Sequence, residues 1–433
     1  MRAGNTGVRT RLGIVALVVC VAAGAALAGG AAWAGASPGA SPSPTTAATL
    51  AASATPGAVA VPVGDPTPTE SIAWSIAPAT VVYGAAVTAQ GTVTPGAAGQ
   101  TVTIALDGTT VATAQTQADG TFSAAFTPTA GGAVTATLGD GTAGAPQTLV
   151  VQPHVALLKV GSRLPWGHTR LTVSVAPATF SGALTATVTH HGRTVARVVG
   201  HVAAGNVVLS VPTPGIGAFA VRVTAAAADG LAAPPAVART LQVAWRRVAV
   251  GTKGTYAHIL LQRLAALHFR VPGISWSIST AAGDSIVAFQ KAYRLPRTYV
   301  FDGDDWRKLD TAKLITVRHA SPATHIEIDK TRQILMVVKA GKPYGIIAVS
   351  TGRTGNTPVG RFHILWKAPS TSTWLGSATL WRTMDFYRNF AMHGYPEVPP
   401  YPASHGCVRE PVWVADWTYR HSFVGETVYI YLS

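Results

Sequence analysis

Short runs in which apolar and small polar residues alternate, each bounded by a turn signal, recur through this chain and confine it to a mainly β architecture. T-V-T-I-A-L (Thr101 to Leu106) leads into Asp107-Gly108, and T-F-S-A-A-F (Thr121 to Phe126) follows Asp119-Gly120. Such dipeptides supply the positive φ that a tight hairpin requires. Repeated between about Ser71 and Pro153, the pattern predicts an antiparallel β-sandwich. The stretch from His154 to Trp245 has the same texture in L-T-V-S-V, L-T-A-T-V and F-A-V-R-V-T. S-I-A-P-A-T at Ser75 returns as S-V-A-P-A-T at Ser174, which points to two related modules. Neither collects a cluster of catalytic side chains.

After Gly251 the period changes. Ile259, Leu260, Leu264 and Leu267 fall on one helical face, as do Ile286, Phe289 and Tyr293, predicting two short amphipathic helices. From about Ala323 strands return: H-I-E-I-D, I-L-M-V-V-K and Y-G-I-I-A-V-S, then a Gly/Thr/Pro loop running into G-R-F-H-I-L. A helix is expected after Pro411, then a closing strand with Val428, Ile430 and Leu432 on one face. At 433 residues the chain exceeds one ordinary domain, since domains average about 150 residues.

Arg2, Arg9 and Arg11 precede an apolar run from Leu12 to Trp33, which has the form of an export signal. Cleavage after Ala28 or Ala34 and retention as a membrane anchor both remain open. Cys20 follows Val19, where a lipoprotein signal calls for a small residue. From about Gly35 to Thr69 the chain is mostly Ala, Ser, Pro and Thr, a composition that makes an extended tether. Only 12% of residues are charged, yet 33 Lys and Arg against 18 Asp and Glu leave a net charge of +15. That field suits an anionic polymer. Nucleic acid is disfavoured, because no Lys/Arg-dense run or basic helix is present.

Besides Cys20 the chain has one cysteine, Cys407. An exported lone thiol is a liability unless buried or used. His393-Gly394 lies upstream, Ser404-His405-Gly406 precedes it directly, and Arg409 follows. A thiolate is a strong nucleophile, but an ordinary thiol is mostly protonated near neutral pH and needs a base. Gly406 permits a tight turn that aims backbone N–H groups at one point, and a helix starting near Pro411 would add its dipole. Three other readings compete: an inert buried thiol, zinc held by His393, His405 and Cys407, and separate structural histidines. Residue chemistry alone stops at a secreted acyl-transfer enzyme with a cysteine nucleophile.

The H-G pair followed by S-H-G-C-V-R, downstream of S-T-G-R-T-G-N-T-P-V-G-R-F, resembles the YkuD-type L,D-transpeptidase catalytic domain over about Thr324 to Ser433. L-Q-R-L, A-F-Q-K-A-Y-R-L-P and D-D-W-R-K-L resemble the small three-helix peptidoglycan-binding domain, with Gln262 and Gln290 at its Leu-Gln and Phe-Gln pairs; a generic helical spacer is the alternative. The two sandwich segments resemble immunoglobulin-like spacer domains, a layout found in actinobacterial L,D-transpeptidases. The implied organisation is a signal or anchor (1–34), a tether (35–69), two Ig-like sandwiches (70–153 and 154–245), the helical domain (246–312) and the catalytic domain (313–433).

By this resemblance Cys407 is the nucleophile, His393 the general base, and Gly394 the residue whose carbonyl orients the imidazole. His405 supports the site, and Gly406 and the Cys407 backbone supply oxyanion donors. Arg409 braces the turn or meets a substrate carboxylate, Ser404 contacts substrate, and Trp374, Trp381, Phe386 and Tyr387 wall a peptide groove or pack as core. The implied reaction joins peptidoglycan stem peptides, donor and acceptor, by a 3-3 cross-link through a thioester, with no metal or cofactor and with carbapenems as covalent inhibitors. Anionic wall polymers are the expected neighbours, outside the cell. Water as acceptor would make the protein an L,D-carboxypeptidase; loss of chemistry would leave a wall-binding protein. The interval between His393 and Ser404 is short, where some family members carry a longer loop.

Overall fold

The computed structural model describes residues 69–372 and 379–433. The signal or anchor, Cys20, almost all of the tether and Trp374 lie outside them. Eight strands come first: β1 (Ser71–Ala77), β2 (Thr80–Val82), β3 (Val87–Thr94), β4 (Thr101–Leu106), β5 (Thr109–Gln115), β6 (Thr121–Phe126), β7 (Gly132–Leu138) and β8 (Gln147–Gln152). They form sheets β1-β3-β6 and β2-β8-β7-β4-β5. Seven more follow: β9 (His154–Val160), β10 (Gly167–Ala176), β11 (Ala183–His190), β12 (Arg193–His201), β13 (Asn206–Thr213), β14 (Gly217–Ala225) and β15 (Val237–Val243). Their sheets are β13-β10-β9 and β12-β11-β14-β15. The alternation works as period two demands: Leu171, Val173 and Val175 of β10 are buried while their neighbours are not.

Three helices come next, α1 (Thr255–Ala266), α2 (Thr280–Ala292) and α3 (Gly303–Thr311). Ser279 caps α2 through the Ala282 N–H, and Asp302 and Asp305 form a capping box on α3. α2 is buried on nearly every side because α1 and α3 share a core with one face of the C-terminal sheet, through Met336, Val338 and Ile346.

That sheet has the order β18-β17-β16-β24-β19 and comprises β16 (His325–Asp329), β17 (Ile334–Lys339), β18 (Lys342–Ala348), β19 (Gly360–His363) and β24 (Thr427–Tyr431). A second sheet, β20-β21-β22-β23, is built from β20 (Trp366–Ser372), β21 (Thr379–Tyr387), β22 (Phe390–Tyr395) and β23 (Val408–Pro411). Helix α4 (Val412–Arg420) covers β21 and β22. Leu432, expected beside Val428 and Ile430, lies past the end of β24 and is exposed.

The helical segment grips the C-terminal region with polar contacts as well. Asp284 accepts from Trp413 Nε1 at 2.9 Å, and the fully buried Lys291 donates to the Val349 carbonyl at 2.8 Å. Arg297 donates to the Pro400 carbonyl at 2.7 Å, and the Tyr299 hydroxyl to Val398 at 3.3 Å. Both of these acceptors lie in the loop between β22 and β23. Among the described residues no helix is long and apolar enough to cross a membrane.

Candidate active site

Strands β22 and β23 run parallel, with Met392 opposite Val408, His393 opposite Arg409 and Gly394 opposite Glu410. Paired residues share a face, and faces alternate along each strand. Met392 and Val408 are fully buried in the core. His393, Tyr395 and Arg409 therefore occupy the opposite face, and Cys407 immediately precedes β23, two residues before Arg409.

His393 is 2% exposed, and its Nδ1–H donates to the Gly394 carbonyl at 3.1 Å. A carbonyl only accepts, so Nδ1 carries the proton and Nε2 is left with a free lone pair. Burial pushes the imidazole down to about 4, helped by the Arg409 charge and opposed by the Gly394 hydrogen bond. The ring is thus a neutral base at physiological pH. Gly394 is glycine for a packing reason, since an added Cβ would lie 2.7 Å from Ala415 Cβ on α4.

Cys407 is half-buried, and its thiol donates to the Asn389 carbonyl at 3.7 Å. Burial pushes the thiol up; the Ala391 N–H and Arg409 oppose this, whereas the Asp385 carboxylate adds to it. Asn389 reaches the sulfur because β21 and β22 are joined by a two-residue turn, Arg388-Asn389, with both residues at positive φ (44° and 69°). His393 and Cys407 share no hydrogen bond here. Catalytic hydrogen bonds are often long without substrate and tighten once it binds.

The turn before the sulfur is tightly braced. Ser404 is buried; its hydroxyl donates to the Cys407 carbonyl at 2.5 Å and accepts the Gly406 N–H at 3.0 Å. The Gly406 N–H, expected as an oxyanion donor, is thus committed to Ser404, and the Ser404 hydroxyl to the turn rather than to substrate. Thr357 donates to the Gly406 carbonyl at 2.6 Å, and Asn356 to that of His405 at 2.7 Å. Gly406 sits at φ 144°, and a Cβ there would come within 2.6 Å of the Phe390 ring.

Other expected residues are dispersed. The His405 side chain is exposed, and it does not converge with His393 and Cys407 as a shared zinc would require. The Arg409 guanidinium lies 4.2 Å over the Tyr395 ring. Trp381 pairs with Gly394 and so shares the α4 side of the sheet, away from the face of His393. The pleat thus removes it from the expected groove. Tyr387 is half-buried against Phe362 and Phe390, and Phe386 is core. The helix expected to bias the thiol begins at Val412, beyond the four residues of β23, about 13 Å along an extended strand. Its dipole decays within a turn and does not serve Cys407.

Asp385, Asn356, Thr357 and Asn389 were not singled out by sequence reasoning. Asp385 pairs with Ala391 on the Cys407 side, is 2% exposed, and is pushed up by burial. An acidic residue inside the apolar run M-D-F-Y was the one available signal. Asn356 and Thr357 sit in the quoted T-G-N-T-P motif, but their partners lie 49 residues away.

Residues 323–430 match the YkuD family, described as the L,D-transpeptidase catalytic domain. A solved L,D-transpeptidase from Xylanimonas cellulosilytica is 30% identical over 43% of this chain and 98% of its own, with a TM-score of 0.42. An L,D-transpeptidase from Stackebrandtia nassauensis is 22% identical over 42% of this chain and 93% of its own, with a TM-score of 0.29. The LD transpeptidase LdtMt1, solved in complex with imipenem, is 12% identical over 64% of this chain and 100% of its own, with a TM-score of 0.24. No curated protein matches. The C-terminal region is a YkuD-type catalytic domain. The chain thus carries an L,D-transpeptidase catalytic domain of the YkuD family over residues 323–430.

Proposed function

We propose that this protein is an exported peptidoglycan L,D-transpeptidase forming 3-3 cross-links through a Cys407 thioester. The observation that carries the reading is the Nδ1–H bond of His393 to Gly394, which frees Nε2 on the strand paired with the one that Cys407 leads into. With the thiol pushed up and the imidazole down, the resting pair is neutral, so the proton moves during attack. The sulfur adds to the carbonyl between the stem's third residue and D-Ala at the fourth, and His393 Nε2 takes the thiol proton. The imidazolium returns it to the departing D-Ala amine, leaving a thioester. A side-chain amine of a second stem then attacks, gives its proton to His393, and forms the cross-link as the thiol is regenerated. The charge of Arg409 faces the developing oxyanion or a stem carboxylate, and the Cys407 N–H is the backbone donor. No metal or cofactor enters these steps.

Residues 70–153 and 154–245 serve as immunoglobulin-like spacers, 246–312 as a helical peptidoglycan-binding-like domain, and 313–433 as the catalytic domain. Residues 1–34 export or anchor the chain and 35–69 tether it. The paired sheets and the three short helices support this division. The net charge of +15 suits anionic wall polymers.

The test is mass spectrometry of the full chain with tetrapeptide stems and, separately, with imipenem. A cross-linked product and a Cys407 adduct are expected, both lost in Cys407→Ala. Full activity of Cys407→Ala would sink the mechanism. Stem hydrolysis without cross-linking would give the L,D-carboxypeptidase, and sedimentation with insoluble peptidoglycan without any adduct the wall-binding protein.

A further inference from the structure

Far from Cys407 in sequence, β11 and β12 are joined by the two-residue turn His191-Gly192, with His190 opposite Arg193. Adjacent strand residues normally point to opposite faces. Here His191 takes φ 48° and Gly192 φ 72°, and the His191 ring folds back beside that of His190, their centroids 3.9 Å apart. Asparagine or aspartate is the usual choice before glycine in such a turn.

His190 is buried flat against Phe219, ring centroids 3.9 Å apart, and its Nδ1–H donates to the Ala218 carbonyl at 3.0 Å. That fixes the tautomer and leaves Nε2 as a lone pair in the neutral ring. Yet Nε2 lies 3.1 Å from Asp310 Oδ2, which also only accepts. His191 Nε2 approaches the same oxygen at 2.9 Å. Asp310, on α3, has a side chain only 4% exposed, and its Oδ1 accepts the Ile216 N–H at 3.2 Å. The three ligand atoms lie within 4.8 Å of one another.

Two acceptors face to face require a positive charge between them. We propose that His190 Nε2, His191 Nε2 and Asp310 Oδ2 bind a divalent transition-metal cation of the zinc type. Tetrahedral zinc with bonds of about 2.0–2.2 Å holds its ligand atoms roughly 3.3 Å apart, so the two histidine–aspartate separations need to open by only a few tenths of an ångström. The Ala218 carbonyl on His190 and the Ile216 N–H on Asp310 orient the ligands in the way outer hydrogen bonds do at metal sites. Two imidazoles and one carboxylate disfavour calcium and magnesium, which take oxygen ligands. Arg263 is the cation that Asp310 also feels, but its guanidinium lies over the Trp166 ring at 5.1 Å. The His191 side chain is 62% exposed, so water can reach this edge of the cluster to supply a fourth ligand. The cation would join the β11–β12 hairpin to α3, locking the second pair of sheets to the helical segment.

The test uses the tag-free full chain carrying Cys407→Ala, which removes a competing thiol. After dialysis against chelator, Zn²⁺ is titrated calorimetrically, and the unfolding midpoint is read with and without Zn²⁺. One equivalent bound and a raised midpoint are expected. His191→Ala, at an exposed position that folding tolerates, and Asp310→Asn should each weaken binding by at least about a hundredfold, since loss of even an outer partner costs 10–100-fold. No stoichiometric binding, or equal affinity in His191→Ala, would overturn the proposal and leave a proton on His190 as the bridging charge.

Discussion

Gly394→Ala separates the packing of the site from its chemistry. The added methyl would sit 2.7 Å from Ala415 Cβ, 3.2 Å from Trp381 Cβ and 3.3 Å from Val412 Cα. Non-bonded carbons rest about 3.5–4.0 Å apart, so α4 or the end of β22 must give by roughly an ångström. Overpacking of this kind costs about 1–3 kcal/mol. The same displacement carries the Gly394 carbonyl away from His393 Nδ1, and an ångström of misplacement at a catalytic group can cost about a hundredfold in rate. The assay is the second-order rate of Cys407 acylation by imipenem, followed by mass spectrometry of quenched samples, with the unfolding midpoint measured on the same protein. Both should fall in Gly394→Ala. Adding Ala415→Gly removes the closest atom and should restore most of the rate, while glycine inside α4 keeps stability down by about 1 kcal/mol. Wild-type acylation in Gly394→Ala, or no rescue in the double variant, would refute the reasoning.

The neutral thiol–imidazole pair predicts that acylation rises with pH through an inflection near 4, the value to which burial pushes His393, and then stays level to neutrality; an inflection near 6.5 in kcat/KM would contradict it. Lys291 is pushed down from 10.5 to about 7, first by burial and then by Arg297, with Asp284 opposing. Its folded value is the lower one, so stability is full above 10.5 and falls as the pH drops toward 7, by about 5 kcal/mol at 1.36 kcal/mol per unit. Lys291→Met relieves that penalty but strands the Val349 carbonyl, at a cost of about 1–3 kcal/mol. The variant should therefore be more stable than wild type by about 2–4 kcal/mol in urea at pH 7 and slightly less stable at pH 10; an equal difference at both would reject this account.

Local patterns in this chain were readable and long-range ones were not. Thr101–Leu106 and Thr121–Phe126 are strands because period two and the Asp-Gly turns act over a few residues. Leu432 escaped because alternation does not say where a ladder stops. His393 and Cys407 stood out as a histidine and a rare thiol, but the strand that holds one pairs in parallel with the strand that the other leads into, which no short motif encodes. Trp381 shows the converse: an aromatic near the site in sequence, turned to the α4 side by the pleat. Asn389 enters through a hairpin tip and Thr357 through 49 residues of separation, so neither leaves a local signal.

The parallel register of β22 and β23 limits how such a site can vary between relatives. Tyr395 and Val408 leave twelve residues between them, near the minimum for carrying a chain back to start a parallel neighbour. Deletions in the Pro-rich segment would pull Cys407 out of step with His393, whereas insertions could bulge outward and leave the pairing intact. Evolution from this form has freedom in one direction only: the segment can lengthen to acquire new contacts, but it has almost nothing left to give up.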